Sequence, residues 1–380
     1  MDLRNQSFMS FTLLGLSEKP NLRLPLLSFF MGAYILCVMG NVLILMLIST
    51  QSQLHTPMYF FLRNLSIVDV CLTSITVPRT ISSLLSQDLS ISFHGCFIQL
   101  FLFYMVGNMD SFLLAIMALD RYAAICQPLH YTTIMSKRTC ICLLTFSWFT
   151  VSLHSTLYTT ITSTLLYCDW VIHHYFCDVP AMLLLSCTDT SVQQMVIFCS
   201  AVLIVMGPML VILGSYVLII RAVLKLRTSI GRRQTFSTCS SHLSVVFLFY
   251  SSIIFIYFRP SSLHSTAYDR VISVLYSVIA PMLNPFIYTL RNKEVRNAVK
   301  MVTQCVQSSG LASGVAGSSY LSGEGRSVFG LFFWQVNSWN VLSFICGSKY
   351  PRPSFLRFLC LETFDSHFND LLIIKLLGGI

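Results

Sequence analysis

Charged side chains are scarce in this chain. Only 10% of the 380 residues are Asp, Glu, Lys or Arg, whereas 55% are hydrophobic and the mean hydropathy is +0.72. Soluble domains carry a charge on about a quarter of their residues. The composition therefore excludes a water-soluble globular protein and indicates a membrane protein.

Catalytic motifs are also missing. The sequence has no glycine-rich phosphate-binding loop, no pair of histidines four residues apart with a glutamate between them, and no Gly-x-Ser-x-Gly elbow. Each pattern supplies a geometry that its chemistry needs: backbone N–H groups around a phosphate, two zinc ligands on one helix face, or an exposed nucleophile. We therefore expect no enzyme.

Long apolar runs dominate instead. A helix needs about 20 residues to cross a hydrocarbon core about 30 Å thick, and the chain contains seven such runs. Pro208 in the fifth run, and Pro281 with Pro285 in the seventh, are expected to bend those helices. The runs are approximately Leu24 to Ser49, Met58 to Ser82, Cys96 to Ala124, Cys140 to Leu165, Met195 to Leu224, Ser237 to Phe258 and Tyr268 to Leu290. The sequence thus predicts an all-α membrane protein with a seven-transmembrane helix bundle.

The placement of Lys and Arg indicates the orientation of these spans. With an extracellular N-terminus, most basic residues outside the spans, such as Lys137, Arg138, Arg232 and Arg233, lie on the cytoplasmic side, as the positive-inside rule requires. A sequon at Asn5 agrees, because N-glycosylation needs a lumenal acceptor. We expect a multi-pass plasma-membrane protein with a cytoplasmic C-terminus. The net charge of +9 then indicates contact with the lipid bilayer, and nucleic acid is not an expected partner.

Four of the fourteen cysteines lie outside the bilayer in this topology: Cys96, Cys168, Cys177 and Cys187. An even number of cysteines facing an oxidising compartment predicts two disulfides, and the sequence leaves three pairings open.

The nearest approach to a metal motif is HHYFCD, in which His174 and Cys177 are three residues apart. Because a disulfide sulfur is a poor ligand, no metal is expected there, and copper or zinc at His174 is a minor alternative.

Polar side chains inside the apolar runs are few, and such groups cost free energy unless they face the bundle interior. Asp69 and Asp110 lie midway along the second and third runs, and Asn41 and Asn284 lie at similar depth in the first and seventh. Their carboxylate and amide oxygens could hold a sodium ion, or one carboxylate could hold a proton. A structural hydrogen-bond knot between helices is an equal alternative. No other cofactor is expected.

Six motifs occur in order along residues 1 to 305. Together they resemble a vertebrate olfactory receptor, a member of the rhodopsin-like G-protein-coupled receptors, and the short final outer loop resembles the class II, tetrapod-type branch. The motifs are Gly40-Asn41, LHTPMYFFLRNLSIVD from Leu54 to Asp69, MALDRYAAICQPLHY from Met117 to Tyr131, Ser215-Tyr216, FSTCSSHL from Phe236 to Leu243, and PMLNPFIYTLRNKEV from Pro281 to Val295.

The resemblance implies roles for individual residues. A small hydrophobic odorant would bind in the bundle, and the partner would be a heterotrimeric G protein of the stimulatory olfactory type, which raises cyclic AMP. Gln234-Thr235 replaces the family's usual Lys-Ala, a departure that bears on the strength of coupling. The disulfides would join Cys96 to Cys177 and Cys168 to Cys187. The switch residues would be Asp120, Arg121, Tyr122, Tyr216, Asn284, Pro285 and Tyr288.

A ligand pocket is expected between helices three, five, six and seven, toward the outer side. Helical spacing from Arg121 and the apolar faces of the other helices predict its lining, which suits a small volatile molecule held by dispersion and one or two hydrogen bonds. For any single residue, plain helix packing is an equal alternative. The predicted lining residues are Phe103, Tyr104, Gly107, Asn108, Ser200, Ile204, Tyr250, Ile253, Ile254, Tyr257, Val274 and Ser277.

The chain thus divides into four predicted regions: an extracellular N-terminus at 1–23, a receptor domain at 24–290, an amphipathic membrane-surface helix at 291–306, and an atypical tail at 307–380. The tail has no counterpart in the resemblance. We interpret it as a product of alternative splicing or of an imperfect gene model, with a membrane-lying segment or an eighth span as alternatives. Two other functions stay open: a receptor-like chain impaired in trafficking or coupling by the tail, and a polytopic transporter.

Overall fold

The computed structural model describes residues 9–16, 19–225, 229–257, 266–291 and 295. The predicted amphipathic helix, apart from Arg291 and Val295, and the tail lie outside these residues. Within them, six helices are long and apolar enough to cross a membrane. They include α1 (Pro20–Thr50), α2 (Pro57–Ser86), α3 (Phe93–Cys126), α4 (Lys137–Ser163) and α5 (Ser191–Leu224).

The sixth and seventh predicted spans correspond to two further helices. Helix α6 is Ser229–Tyr257, and its apolar part, His242–Phe255, is shorter than the other spans. Helix α7 comprises Thr266–Val274, Leu275–Ile279 and Ala280–Arg291 and is the sixth helix of spanning length. The predicted all-α membrane bundle is therefore confirmed, with six of its seven spans established by length and composition. Short helical turns lie at Ser52–Leu54, Pro128–His130, Tyr131–Ile134 and Val179–Leu183.

Local sequence signals explain where several helices begin. Pro20 and Pro57 occupy the first turns of α1 and α2, where the N–H that proline lacks would have no helical partner. Ser92 caps α3 by accepting a hydrogen bond from the Gly95 N–H at 3.1 Å, and Ser136 caps α4 in the same way with Thr139 at 3.3 Å. These caps satisfy donors that a helix start leaves unpaired.

Helix α3 lies at the centre of the bundle. It packs against α2, α4 and α5 and also contacts α6, while α7 packs against α1 and α6. In the most apolar stretch of α3, 67% of the residues are buried, compared with 17% in that of α5. Because α5 faces outward with Leu203, Leu210 and Leu213 exposed, its outer surface suits lipid contact. Residues on α3 are therefore the best placed to connect the two ends of the bundle.

Two helices contain a π-helical segment that ends two residues before a proline. In α5 the segment is Val202–Met206, followed by Pro208, and in α7 it is Leu275–Ile279, followed by Pro281. Proline lacks an N–H and its ring collides with the carbonyl four residues earlier. A wider turn relieves that collision, and the extra residue rotates the following side chains around the helix. Pro78 and Pro285 lie inside α2 and α7 without such a segment.

A small sheet covers one end of the bundle. Strand β1 (Ser10–Leu13) pairs antiparallel with β2 (Ser90–Ser92) and parallel with β3 (Val171–Ile172), in the order β2-β1-β3. Phe11 of β1 is fully buried, with its ring centroid 4.9 Å from that of Trp170 and 5.3 Å from that of Tyr167. The N-terminal region thus holds an ordered strand that the sequence reading does not predict.

Both predicted disulfides lie at this end, which we call the disulfide end. Cys96 at the start of α3 is bonded to Cys177, and Cys168 is bonded to Cys187, with Cα–Cα distances of 5.6 and 5.4 Å. These pairs are the ones that the family resemblance implies. They fasten the segment between α4 and α5 to α3 and to itself, so this segment forms a fixed cover over the bundle.

Candidate functional site

A small cavity lies inside the bundle near the disulfide end. Its volume is about 40 Å³, well below the roughly 150 Å³ of an apolar cavity that holds benzene, so the bundle must widen to admit an odorant. Side chains from α2, α3, α4, α5, α6 and α7 form its wall, and most of them are apolar. The lining residues are Leu72, Phe103, Tyr104, Gly107, Asn108, His154, Tyr158, Ala201, Val205, Phe249, Ile253 and Tyr276.

The predicted pocket residues on α3 all line this cavity, and so does Ile253 of α6. These positions follow from regular helical spacing, because α3 is an uninterrupted α-helix. At Gly107 an added Cβ would lie 3.7 Å from Leu72, which is ordinary van der Waals contact. Whether each of these residues contacts an odorant stays a prediction.

On α5 and α7 the cavity wall differs from the prediction. Ala201, Val205 and Tyr276 line it, whereas Ser200, Ile204, Val274 and Ser277 do not. On α5 the lining residues have the same spacing as the predicted pair, Ser200 and Ile204, but each lies one position later in the chain. Ala201 precedes the π-helical segment, so this displacement is a different rotation of α5 about its axis. On α7, Tyr276 lies within the π-helical segment, where the spacing departs from 3.6 residues per turn.

The remaining predicted pocket residues have other surroundings. The Ser200 hydroxyl donates to the Ile197 carbonyl at 3.0 Å, and the Tyr250 hydroxyl lies 2.7 Å from the Ser111 hydroxyl. Ile254 is 37% exposed, which places it on the outer side of α6. The side chain of Tyr257 lies outside the described part of the chain.

Helix α4 contributes to the cavity although the prediction omits it. His154 and Tyr158 line the wall, and their ring centroids are 4.1 Å apart. The Asn108 amide nitrogen lies 3.2 Å from His154 Nδ1. An ionisable side chain inside a membrane helix marks a candidate site by default, so the histidine in the fourth apolar run is the signal that could have identified this wall.

The segment between α4 and α5 contacts the cavity wall from the disulfide end. Tyr104 of the cavity wall donates its hydroxyl to Asp178 Oδ1 at 2.6 Å, and the Tyr175 hydroxyl lies 2.8 Å from the Ser277 hydroxyl. The Cys177 N–H donates to Gln99 Oε1 at 3.0 Å. Phe176 packs on Phe103 with ring centroids 4.4 Å apart. This cover therefore makes direct contact with the cavity wall.

His174 lies in the same cover, 4% exposed. Its Nε2 is 3.1 Å from the Ser273 hydroxyl, and its Nδ1 accepts the Phe176 N–H at 3.4 Å. Burial lowers the pKa of His174 to about 3, so the ring is neutral under physiological conditions. Within the described residues no group of three His, Cys, Asp or Glu side chains could hold a metal ion, and Cys177 beside it is in a disulfide.

The buried polar residues of the bundle centre are only partly brought together. The Asn284 amide donates to both carboxylate oxygens of Asp69, at 2.9 and 3.1 Å, and Asp110 is close enough to interact with Asp69 electrostatically. Asn41 donates instead to the carbonyls of Cys37 and Pro281, at 3.0 and 3.2 Å. The predicted cluster of four is thus a cluster of three, with Asn41 beside it.

At the opposite end of the bundle, which we call the Arg121 end, a buried carboxylate holds two partners. Asp120 is fully buried, and its Oδ2 accepts a hydrogen bond from the Arg121 guanidinium at 2.8 Å. Its other oxygen accepts the Tyr131 hydroxyl, also at 2.8 Å. Tyr131 belongs to the short helix after α3, and the sequence reading gives it no role although it closes the quoted motif. Tyr122 accepts a hydrogen bond from Gln127 at 3.2 Å.

Tyr216 does not contact Arg121 through a hydrogen bond in this structure. Its hydroxyl lies 3.0 Å from Nδ1 of His242, and Nε2 of His242 lies 3.0 Å from the carbonyl of Leu114. Because a carbonyl can only accept, Nε2 carries the proton and Nδ1 accepts the Tyr216 hydroxyl. We call this set of residues the His242 clamp. It joins α3, α5 and α6, and its histidine in the FSTCSSHL motif is a second signal that the sequence reading omits.

Tyr288, which the resemblance assigns to the seventh-helix switch, is 6% exposed. Its hydroxyl has no hydrogen-bond partner among the described residues, and the same holds for Asn284 Oδ1 and Asp110 Oδ1. Pro285 lies inside α7 between Asn284 and Tyr288. Asn5, the predicted glycosylation site, lies outside the described residues.

Comparisons with known proteins identify the family. The family model described as olfactory receptor matches residues 30–305. Human olfactory receptor 1L6 is 46% identical over 303 residues, covering 79% of this chain and 87% of that protein. Mouse olfactory receptor 1E16 is 46% identical over 304 residues (80% and 97%), and human olfactory receptor 1L4 is 45% identical over 311 residues (81% and 100%). The chain therefore belongs to the olfactory receptor family of odorant-sensing G-protein-coupled receptors, and it is a multi-pass membrane receptor and not an enzyme.

Proposed function

We propose that this receptor binds a small volatile organic molecule in the cavity and activates a stimulatory, olfactory-type G protein that raises cyclic AMP. The observation that carries the proposal is that α6 contributes side chains both to the cavity wall and to the His242 clamp. Phe249 and Ile253 line the cavity, and His242, about two helical turns before Phe249, forms the clamp with Tyr216 and Leu114. A ligand that displaces α6 at the cavity also strains the clamp.

We assign the contacts at the Arg121 end to the resting state. Arg121 is paired with Asp120, and Tyr216 is paired with His242. In the active arrangement that we propose, the inner end of α6 moves outward, the clamp opens, and Tyr216 and Arg121 become available to each other and to the G protein. A ligand can shift this equilibrium only by the difference between its affinities for the two states.

Helix α3 supplies the physical connection between the two ends. Asn108 of the cavity wall and Arg121 lie on this one helix, at a separation of about 20 Å along its axis. Leu114, whose carbonyl holds the clamp, lies between them. Because α3 is buried among its neighbours and packed interiors do not deform continuously, a change at the cavity is transmitted as a discrete rearrangement.

The proposed orientation places the Arg121 end in the cytoplasm and the disulfide end outside the cell. The excess of Lys and Arg in the segments assigned to the cytoplasm supports this orientation, and so do disulfides, which persist in oxidising compartments. The receptor would then lie in the plasma membrane, with its N-terminus extracellular, Asn5 available for glycosylation, and its C-terminus cytoplasmic.

We also propose that a sodium ion occupies the centre of the bundle in the resting state. Asp69 and Asp110 supply negative charge, and the unpaired buried oxygens Asp110 Oδ1 and Asn284 Oδ1 are acceptors that a cation would satisfy. Oxygen ligands suit a hard cation, and two carboxylates this deeply buried repel each other without one. A shared proton is the alternative, because protonation of either carboxyl would also relieve the repulsion.

The direct test of coupling is Arg121→Ala in the full-length receptor, stimulated with an agonist found in a chemically diverse odorant panel. We expect this variant to reach the cell surface and to lose odorant-evoked cyclic AMP, because it lacks the cation that the G protein would meet. Arg138→Ala is the matched control, since it removes an exposed positive charge at the same end of the bundle. Normal signalling by Arg121→Ala at equal surface density would contradict the proposal.

A further inference from the structure

The cavity wall includes a histidine with one ring nitrogen that nothing in the described structure satisfies. His154 of α4 is 6% exposed and lines the cavity. Its Nδ1 lies 3.2 Å from the Asn108 amide nitrogen, whereas its Nε2 is buried and has no hydrogen-bond partner among the described residues. Leaving a buried polar group unpaired costs free energy, so this atom requires an explanation.

The contact with Asn108 fixes the chemical character of the free atom. An amide nitrogen can only donate, so Nδ1 of His154 accepts and carries no proton. In a neutral imidazole the proton then resides on Nε2. The unpaired atom is therefore an N–H donor, and the group that completes it must be a hydrogen-bond acceptor.

The tyrosine hydroxyls of the wall beside His154 are already used as donors. The Tyr104 hydroxyl donates to Asp178 at 2.6 Å, and the Tyr158 hydroxyl donates to the Ile197 carbonyl at 2.8 Å. Much of the remaining wall is hydrocarbon, and it includes no Lys or Arg. A carboxylate ligand would thus bury a negative charge without a compensating cation, which is unfavourable.

We propose that this receptor recognises small uncharged odorants with a carbonyl or ether oxygen, and that the oxygen accepts the Nε2–H of His154. This inference rests on the proposed odorant-binding function and names the ligand class for it. A hydrocarbon of the same shape fills the cavity but leaves the N–H unpaired.

The test uses a panel of ketones, aldehydes, esters and ethers, each matched with a hydrocarbon of the same carbon skeleton. Two responses of the full-length receptor are measured: odorant-evoked cyclic AMP in cells, and the shift in thermal unfolding of the purified receptor. We expect wild type to favour the oxygen compounds over their hydrocarbon partners about tenfold, because a site built to donate rejects a ligand that leaves it unpaired.

Three variants assign the preference to His154. His154→Phe keeps an aromatic ring against Tyr158 but removes the donor, so the tenfold preference should disappear while hydrocarbon responses persist. His154→Gln restores an N–H donor and should recover part of the preference. Ser155→Ala is the matched control, because the Ser155 hydroxyl is also buried and unpaired but does not line the cavity, and it should leave the preference unchanged.

The two measurements distinguish this inference from the proposed coupling. An oxygen preference in thermal unfolding without any cyclic AMP response would support the role of His154 and contradict the coupling. Cyclic AMP responses with equal potency for oxygen compounds and hydrocarbons, or an unchanged preference in His154→Phe, would overturn the role of His154 and leave the coupling intact. Failure of every oxygen compound to bind or signal would also overturn the inference.

Discussion

The Arg121 end of the bundle makes a quantitative prediction for Asp120→Asn. Asp120 is fully buried, its carboxylate accepts Arg121 at 2.8 Å, and Arg121 is 19% exposed. Asparagine keeps the shape and one acceptor oxygen, so the Tyr131 hydroxyl can still be bound, but the charge that holds the guanidinium is lost. The resting state should therefore lose stability while the fold is retained.

The size of the effect follows from the geometry of the pair. A hydrogen bond to a charged group contributes about 1.5–3 kcal/mol, and the partial exposure of Arg121 reduces this to about 1–2 kcal/mol. A free-energy change of that size multiplies the ratio of active to resting receptor by about 5 to 30. If about 1% of the wild-type receptor is active without odorant, the variant should reach roughly 5–25%.

The assay is basal cyclic AMP without odorant, divided by surface receptor density. Asp88→Asn is the control, because it removes an exposed carboxylate from the turn between α2 and β2. The double variant Asp120→Asn with Arg121→Ala should return to the background of untransfected cells, since the released arginine is the group that signals. Unchanged basal cyclic AMP in Asp120→Asn at wild-type surface density would refute the assignment of this pair as a resting lock.

Two further predictions concern the bundle centre and the cover. Asp69→Asn should abolish any effect of extracellular sodium on agonist potency, because it removes a charge of the proposed ion site, and a persisting sodium effect would exclude Asp69 as a ligand. Burial lowers the pKa of His174 to about 3, so between about pH 6.5 and 3 only the unfolded state binds a proton at this residue. The free energy of unfolding therefore falls as the pH drops, by up to about 1.4 kcal/mol per pH unit. Between pH 7 and 5 the unfolding temperature of the purified receptor should fall less for His174→Gln, which can still form a hydrogen bond with Ser273, than for wild type. An equal fall in both proteins would show that His174 does not contribute to the pH dependence.

The spans and the helix bundle could be predicted because their physical cause is local. About 20 apolar residues in sequence are enough to specify a spanning helix, and the predicted run from Met58 to Ser82 falls inside α2, Pro57–Ser86. Spacing along α3 puts Phe103, Tyr104, Gly107 and Asn108 together, and all four line the cavity because that helix is regular throughout.

The cavity wall on α5 and α7 could not be predicted in the same way. Pro208 and Pro281 indicate a bend, but they do not specify that a π-helical turn forms before each of them. On α5 the lining residues Ala201 and Val205 each lie one position after the predicted Ser200 and Ile204, because the rotation of the helix about its axis depends on how the neighbouring helices pack. Strand β1 could not be predicted either, because its four residues pair only through the contacts that β2 and β3 provide.

Two histidines give a signal in the sequence that the predicted site residues do not include. His154 and His242 lie inside apolar runs, where an ionisable side chain is as informative as a carboxylate. In the structure one histidine lines the cavity and the other forms the clamp. The partners of each histidine come from other helices, so their contacts required the tertiary structure.

The central claim is that an odorant in the cavity drives a stimulatory G protein. The most direct measurement is the cyclic AMP response of the full-length receptor to the odorant panel, in cells with the stimulatory α subunit and in matched cells from which it has been deleted. We predict a dose-dependent response to at least one odorant in the first cells and none in the second. A response that persists without the α subunit, or no response to any odorant by receptor shown to be at the surface, would contradict the claim.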